Sequence, residues 1–135
     1  MIFIDTWAWR ARILAGKDKW FGRARTSWDR IIESRQRLLT TWMVVDETIN
    51  AVAKRINTAQ AAEIYYGIID TPALTFQPYD REIYTPALSR MRVGRDRQYG
   101  ITDAVSFATM QRFNCRVAFT GDSDFKQAGF EIIPD

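Results

Sequence analysis

"YGITDAVSFATMQRFNCRVAFTGDSDF", residues 99–125, decides the fold. A helix expected to begin near Thr102 carries Asp103 in its opening turn and feeds "RVAFT", a short apolar run that reads as a buried strand and ends beside Asp122 and Asp124. A helix leading into a buried strand is the repeating unit of parallel sheets. The unit also places carboxylates at both of its junctions, where they repel one another.

Working outward, "MIFI" reads as a strand ending at Asp5, followed by a helical pattern. A turn-like stretch lies between Gly16 and Gly22. Beyond it, Trp28, Ile31, Ile32, Arg35, Leu38 and Leu39 recur near the helical period, with Thr26 or Ser27 as N-cap. "TTWMVV" is β-branched and apolar and reads as a strand before Asp46 and Glu47. Ile49, Val52, Ala53 and Ile56 then mark a helix whose first turn holds Glu47. Thr58 is the expected cap of a helix through Ile69, "PALTFQP" reads as a strand, and Thr85-Pro86 as a helix start. Residues 92–100 read as an exposed loop, and "FEII" as a last short strand. The alternation predicts an α/β fold with a mostly parallel sheet and helices on both faces.

Composition sets further bounds. The chain has 135 residues, 47% of them hydrophobic, which suits one domain over residues 1–135 built on a single core. The N-terminal stretch lacks a basic leader region and no long apolar run follows, so a cytoplasmic protein with no membrane span is expected. Cys115 is the one cysteine and histidine is absent, which excludes an internal disulfide, a Cys/His zinc site and a histidine-based triad. Any metal must be held through oxygen.

Asp5, Glu47, Asp103 and Asp122 all fall at element junctions. Ligands of open parallel sheets gather beyond the carboxyl ends of strands, so four acids distant in sequence can share one pocket there. Singly, each is explained by helix capping or a turn. Together, without a counter-charge, they would raise one another's pKa, and a divalent cation is the usual remedy. Magnesium and manganese both suit hard oxygen ligands, orient an attacking water and stabilise charge developing on phosphate. Asp46 competes with Glu47, since adjacent helical residues point about 100° apart; Glu47 is assigned to the pocket. Asp124 either joins the site or turns the chain before Phe125. Thr6 and Thr120 either bond a ligand-bound water or are ordinary strand-end hydroxyls.

Residues 10–37 carry nine Lys/Arg against three acids. This basic segment, including Arg10, Arg12, Arg23 and Arg25, either faces a polyanion such as a nucleic-acid backbone or is a solvated helical surface. Trp7, Trp9 and Trp20 likewise either stack on bases or are buried, whereas Trp28 and Trp42 belong to apolar runs.

At this point the chain resembles a known family. "MIFIDTWAW" looks like the opening strand and first acid of the PIN domains, "LLTTWMVVDETINAVAKR" like the stretch bearing their glutamate, here Glu47. "YGITDAVSFATMQRFNCRVAFTGDSDFKQAGFEIIP" looks like their closing block, with Asp103 and Asp122 at the third and fourth acidic positions. Within the family the likeness is to the VapC type of toxin ribonuclease. The resemblance implies a three-layer α/β/α sandwich, endonucleolytic cleavage of RNA with magnesium or manganese, a small VapB-like antitoxin partner and a homodimer. Two alternatives stand beside it. One is a non-catalytic PIN-like module that binds RNA or a partner. The other, a haloacid-dehalogenase-like phosphatase, requires a second Asp where Trp7 stands.

Overall fold

The computed structural model describes residues 1–14, 20–94 and 98–134. Five strands, β1 (Ile2–Ile4), β2 (Leu38–Thr41), β3 (Leu74–Gln77), β4 (Val117–Phe119) and β5 (Glu131–Ile133), form one sheet in the order β3-β2-β1-β4-β5. Every pairing is parallel. Seven helices are described: α1 (Thr6–Ile13), α2 (Trp20–Ser34), α3 (Trp42–Arg55), α4 (Thr58–Ile69), α5 (Arg81–Val93), α6 (Ile101–Arg112) and α7 (Ser123–Gln127). They complete a three-layer α/β/α sandwich. α3 packs along α4 and α5 along α6, while α1 touches both α2 and α3.

The sheet's centre is dry. Phe3, Ile4, Leu39, Ala118 and Phe119 are fully buried, as expected for central strands covered on both faces. From β1 the chain builds outward to β2 and β3, then returns to the other side of β1 for β4 and β5. The order therefore reverses between β1 and β4. At such a switch point the following loops diverge to opposite sides and leave a crevice.

Several boundaries differ from the sequence reading. α2 begins at Trp20, so Thr26 and Ser27 are interior and Gly22 is helical; the Thr26 hydroxyl donates to the Gly22 carbonyl instead of capping. Ala24, Trp28 and Ile31 form its buried stripe. The rest of the expected turn between Gly16 and Gly22 lies outside the described residues. α2 stops before Arg35, whose φ of 54° breaks the helix, and Leu38 and Leu39 belong to β2. "TTWMVV" is not a strand beyond Thr41. The Thr41 hydroxyl accepts from the Val44 N–H and caps α3, which puts Glu47 in the second helical turn. Asn57 rather than Thr58 caps α4, accepting from the Gln60 N–H.

Asp80, not Thr85, opens α5, and Pro86 sits inside that helix, where it cannot return a bond to the carbonyl four residues back. α5 extends to Val93, which shortens the expected loop, and residues 95–97 of it lie outside the described residues.

Candidate metal and nucleic-acid site

The register of β1 against β4 builds the site. Ile4 pairs with Phe119, and the Asp5 N–H donates to the Phe119 carbonyl at 3.2 Å, so the residues just past each strand, Asp5 and Thr120, lie side by side. Asp5 is the N-cap of α1 yet makes no side-chain capping bond. Its carboxylate accepts instead from the Thr120 hydroxyl at 2.7 Å, and the Thr120 oxygen in turn accepts from the Asp122 N–H at 3.0 Å. Asp122 caps α7 by accepting from the Asp124 N–H. Asp103 enters from the first turn of α6.

Asp5, Glu47, Asp103 and Asp122 line one pocket of about 300 Å³, together with Thr6, Trp7, Arg10, Gly100 and Thr102. Three helix N-termini meet there, and their partial positive charges offset part of the repulsion. Asp46 does not line this pocket; it accepts from the Tyr79 hydroxyl and lines the adjoining groove on α3. Asp124 is not among the residues that line the pocket. It begins α7, and its carboxylate lies with those of Asp103 and Asp122 in a cluster whose oxygens fall within 4.8 Å of one another.

The electrostatics are those of a crowded acid cluster. Burial raises the Asp5 pKa to about 6, against the bonds from Thr120 and the Thr6 N–H that lower it, and with added repulsion from Glu47 and Asp122. Asp103 is pushed up to about 7 by desolvation first and then by Asp5, Asp122, Glu47 and Asp124. Among the described residues none of these carboxylates is in an ion pair.

Thr6 adds an independent sign. It is 7% exposed and lines the pocket, and its hydroxyl has no hydrogen-bond partner among the described residues. A buried hydroxyl without a partner costs about 1–3 kcal/mol. Oxygen donors alone, excess negative charge and an unpaired hydroxyl together fit a hard divalent cation and its waters.

A second, larger groove of about 670 Å³ continues from the pocket, sharing Arg10, Glu47 and Thr102 with it. It runs along α3 past Asn50, Ala51, Lys54 and Arg55 to Tyr79. Lys54 and Arg55 were missed in the sequence because they lie outside the basic segment and look like ordinary cations at a helix end. Glu47, Asn50 and Lys54 nevertheless follow i, i+3, i+7, a spacing that marks one helix face.

The other basic candidates are dispersed. Arg12 lies over the Trp28 ring at 4.8 Å, Arg23 lines a separate cavity with Trp7, and Arg25 is exposed on α2. Trp9 is 1% exposed and belongs to the core, which removes it as a stacking platform. Trp7 is half-buried.

The PIN domain model matches residues 2–131. The 23S rRNA-specific endonuclease VapC20 of Mycobacterium tuberculosis is 28% identical over 146 aligned positions that span all of both chains. The crystal structure of Mycobacterium tuberculosis VapC20, a sarcin-ricin loop cleaving toxin, superposes with a TM-score of 0.83 at 26% identity over 96% of each chain. FitAcB from Neisseria gonorrhoeae shares the fold alone, with a TM-score of 0.69 and 18% identity over 98% of this chain and 96% of that one. Match, sheet order and acid pocket agree: the chain belongs to the PIN domain family.

Proposed function

We propose that this protein is a metal-dependent endoribonuclease and the toxin of a toxin–antitoxin pair. The observation that carries the reading is the convergence of Asp5, Glu47, Asp103 and Asp122 on one pocket at the sheet's switch point.

Asp5, Asp103 and Asp122 would hold the cation, magnesium or manganese, which supplies charge neutralisation at the scissile phosphate and acidifies water. Thr120 fixes the Asp5 carboxylate and thereby the spacing between Asp5 and Asp122. Glu47, exposed on α3 at the rim shared by pocket and groove, would help bind the cation or orient the attacking water and accept its proton. Thr6 offers its unpaired hydroxyl to a water in the pocket. Arg10, Lys54 and Arg55 give the RNA backbone a cationic path leading to the acids.

The named relative acts on 23S rRNA, which makes ribosomal RNA the first substrate to test. A VapB-like antitoxin, a homodimer and a cytoplasmic location complete the proposal; no described helix is long and apolar enough to cross a membrane. Incubating the purified protein with 23S rRNA and with messenger RNA in magnesium or manganese, with and without EDTA, tests it. Discrete new 5′ ends that vanish in EDTA are expected. RNA left intact in both metals would favour the non-catalytic PIN-like module.

A further inference from the structure

Beside Trp7 lies another cavity, of about 330 Å³, lined by Trp7, Arg23, Gly121 and Pro134. Trp7 lines this cavity and the acid pocket alike. We propose that this cavity receives one unstacked nucleobase of the RNA, belonging to a nucleotide next to the scissile phosphate. The proposal rests on the ribonuclease reading above and names a specificity element for it.

The indole is held in place rather than free to swing. It meets Phe119 edge-on at 6.2 Å. On another side it presses on bare backbone: a Cβ at Gly121 would stand 2.5 Å from Trp7 Cε2 and Nε1, a distance that real side chains do not reach. Glycine at position 121 therefore lets the turn after β4 lie flat against the ring. The resulting walls are an indole, a proline ring, an exposed peptide and a guanidinium. Such surfaces stack on the face of a base and offer donors to its edge, the means by which proteins hold single-stranded RNA. A phosphate gains little from an indole and a proline. Trp7 also follows Asp5 by two residues, so a base in the cavity is one side chain away from the acids.

The test separates base from backbone and needs no cleavage. Binding of labelled oligoadenylate, oligoguanylate, oligouridylate and oligocytidylate is compared, by fluorescence anisotropy in EDTA, with that of an abasic ribose-phosphate polymer of equal length. The parent is expected to bind at least one base-bearing RNA on the order of tenfold more tightly than the abasic polymer. Trp7→Leu should erase that difference while binding the abasic polymer like the parent, and Trp7→Phe, which keeps a stacking face, should retain most of it. Arg23→Gln, on an exposed side chain, should narrow the ranking among the four bases while thermal unfolding checks that the variant is folded.

Equal binding of abasic and base-bearing RNA by the parent would overturn the proposal. So would a Trp7→Leu protein that weakens all probes alike, or one that binds RNA normally but loses its antitoxin. Absence of cleavage in magnesium and manganese would instead defeat the ribonuclease reading, and the binding ratios report on the cavity separately.

Discussion

Thr120 and Asp5 stand 115 positions apart in sequence and are joined by a 2.7 Å hydrogen bond between the threonine hydroxyl and the Asp5 carboxylate. The same oxygen accepts from the Asp122 N–H, so one buried hydroxyl sets the relation between two acids that follow neighbouring strands. Thr120→Val keeps the shape and removes both bonds. We expect a loss of about 1–3 kcal/mol in denaturant unfolding, the cost of leaving the buried Asp5 carboxylate without its partner. Cleavage should fall with it, and Thr120→Ser should restore both.

The raised Asp5 and Asp103 values fix the sign of a pH effect in metal-free protein. Both carboxyls have folded pKa values above the ordinary 3.8. Below about pH 4 they are protonated whether folded or not. Between there and about 7 the unfolded chain releases protons that the folded chain retains, so these groups lower stability as pH rises through that window. Thermal unfolding in EDTA should therefore show a parent that loses ground to Asp103→Asn from about pH 4 to about pH 7, with no further divergence above. A gap that narrows with rising pH would contradict the crowded-acid account.

Cation binding reverses that penalty. Ligating carboxylates must give up their protons, so affinity for magnesium or manganese should weaken as pH falls from about 7 to about 6, the range in which Asp103 and Asp5 take up protons. Calorimetry in two buffers of different ionisation enthalpy measures the protons released on binding. Zero release near pH 6 would place the cation elsewhere.

Along the groove, Lys54 and Arg55 are the cations beyond Arg10 that line the path away from the acids. The double substitution Lys54→Gln, Arg55→Gln should lower the salt slope of single-stranded RNA binding by about 1.4, at roughly 0.7 per phosphate contact. Arg25→Gln, exposed on α2 and lining no described cavity, should leave the slope unchanged. The opposite ranking would move the RNA path to the basic segment.

Strand ends were legible because short apolar runs closed by an acid leave little choice: Asp5 and Asp122 could be placed from "MIFID" and "RVAFTGD" alone. Asp103 followed from a helix opening after Gly100. The second strand was not legible. Leu38 and Leu39 continue the helical spacing of Trp28 and Ile31, and only the positive φ of Arg35, a conformation few non-glycine residues take, ends the helix before them. Glu47 was placed one turn too early because "TTWMVV" has strand composition. In the fold Trp42 stacks on Phe76 and Tyr65, contacts to β3 and α4 that local propensity does not encode. The bond from Thr120 to Asp5 and the press of Trp7 on Gly121 both arise from strand register, which no local pattern displays.

The central claim is that these acids hold the cation that lets the protein cut RNA, and single-turnover cleavage of 23S rRNA across a manganese series, by the parent and by Asp103→Asn, tests it most directly. Loss of one charge at constant size should lower the maximal rate and the apparent manganese affinity together, by orders of magnitude, in a variant that unfolds no earlier than the parent in EDTA. Equal rates for parent and Asp103→Asn at every manganese concentration, unaffected by EDTA, would contradict the account.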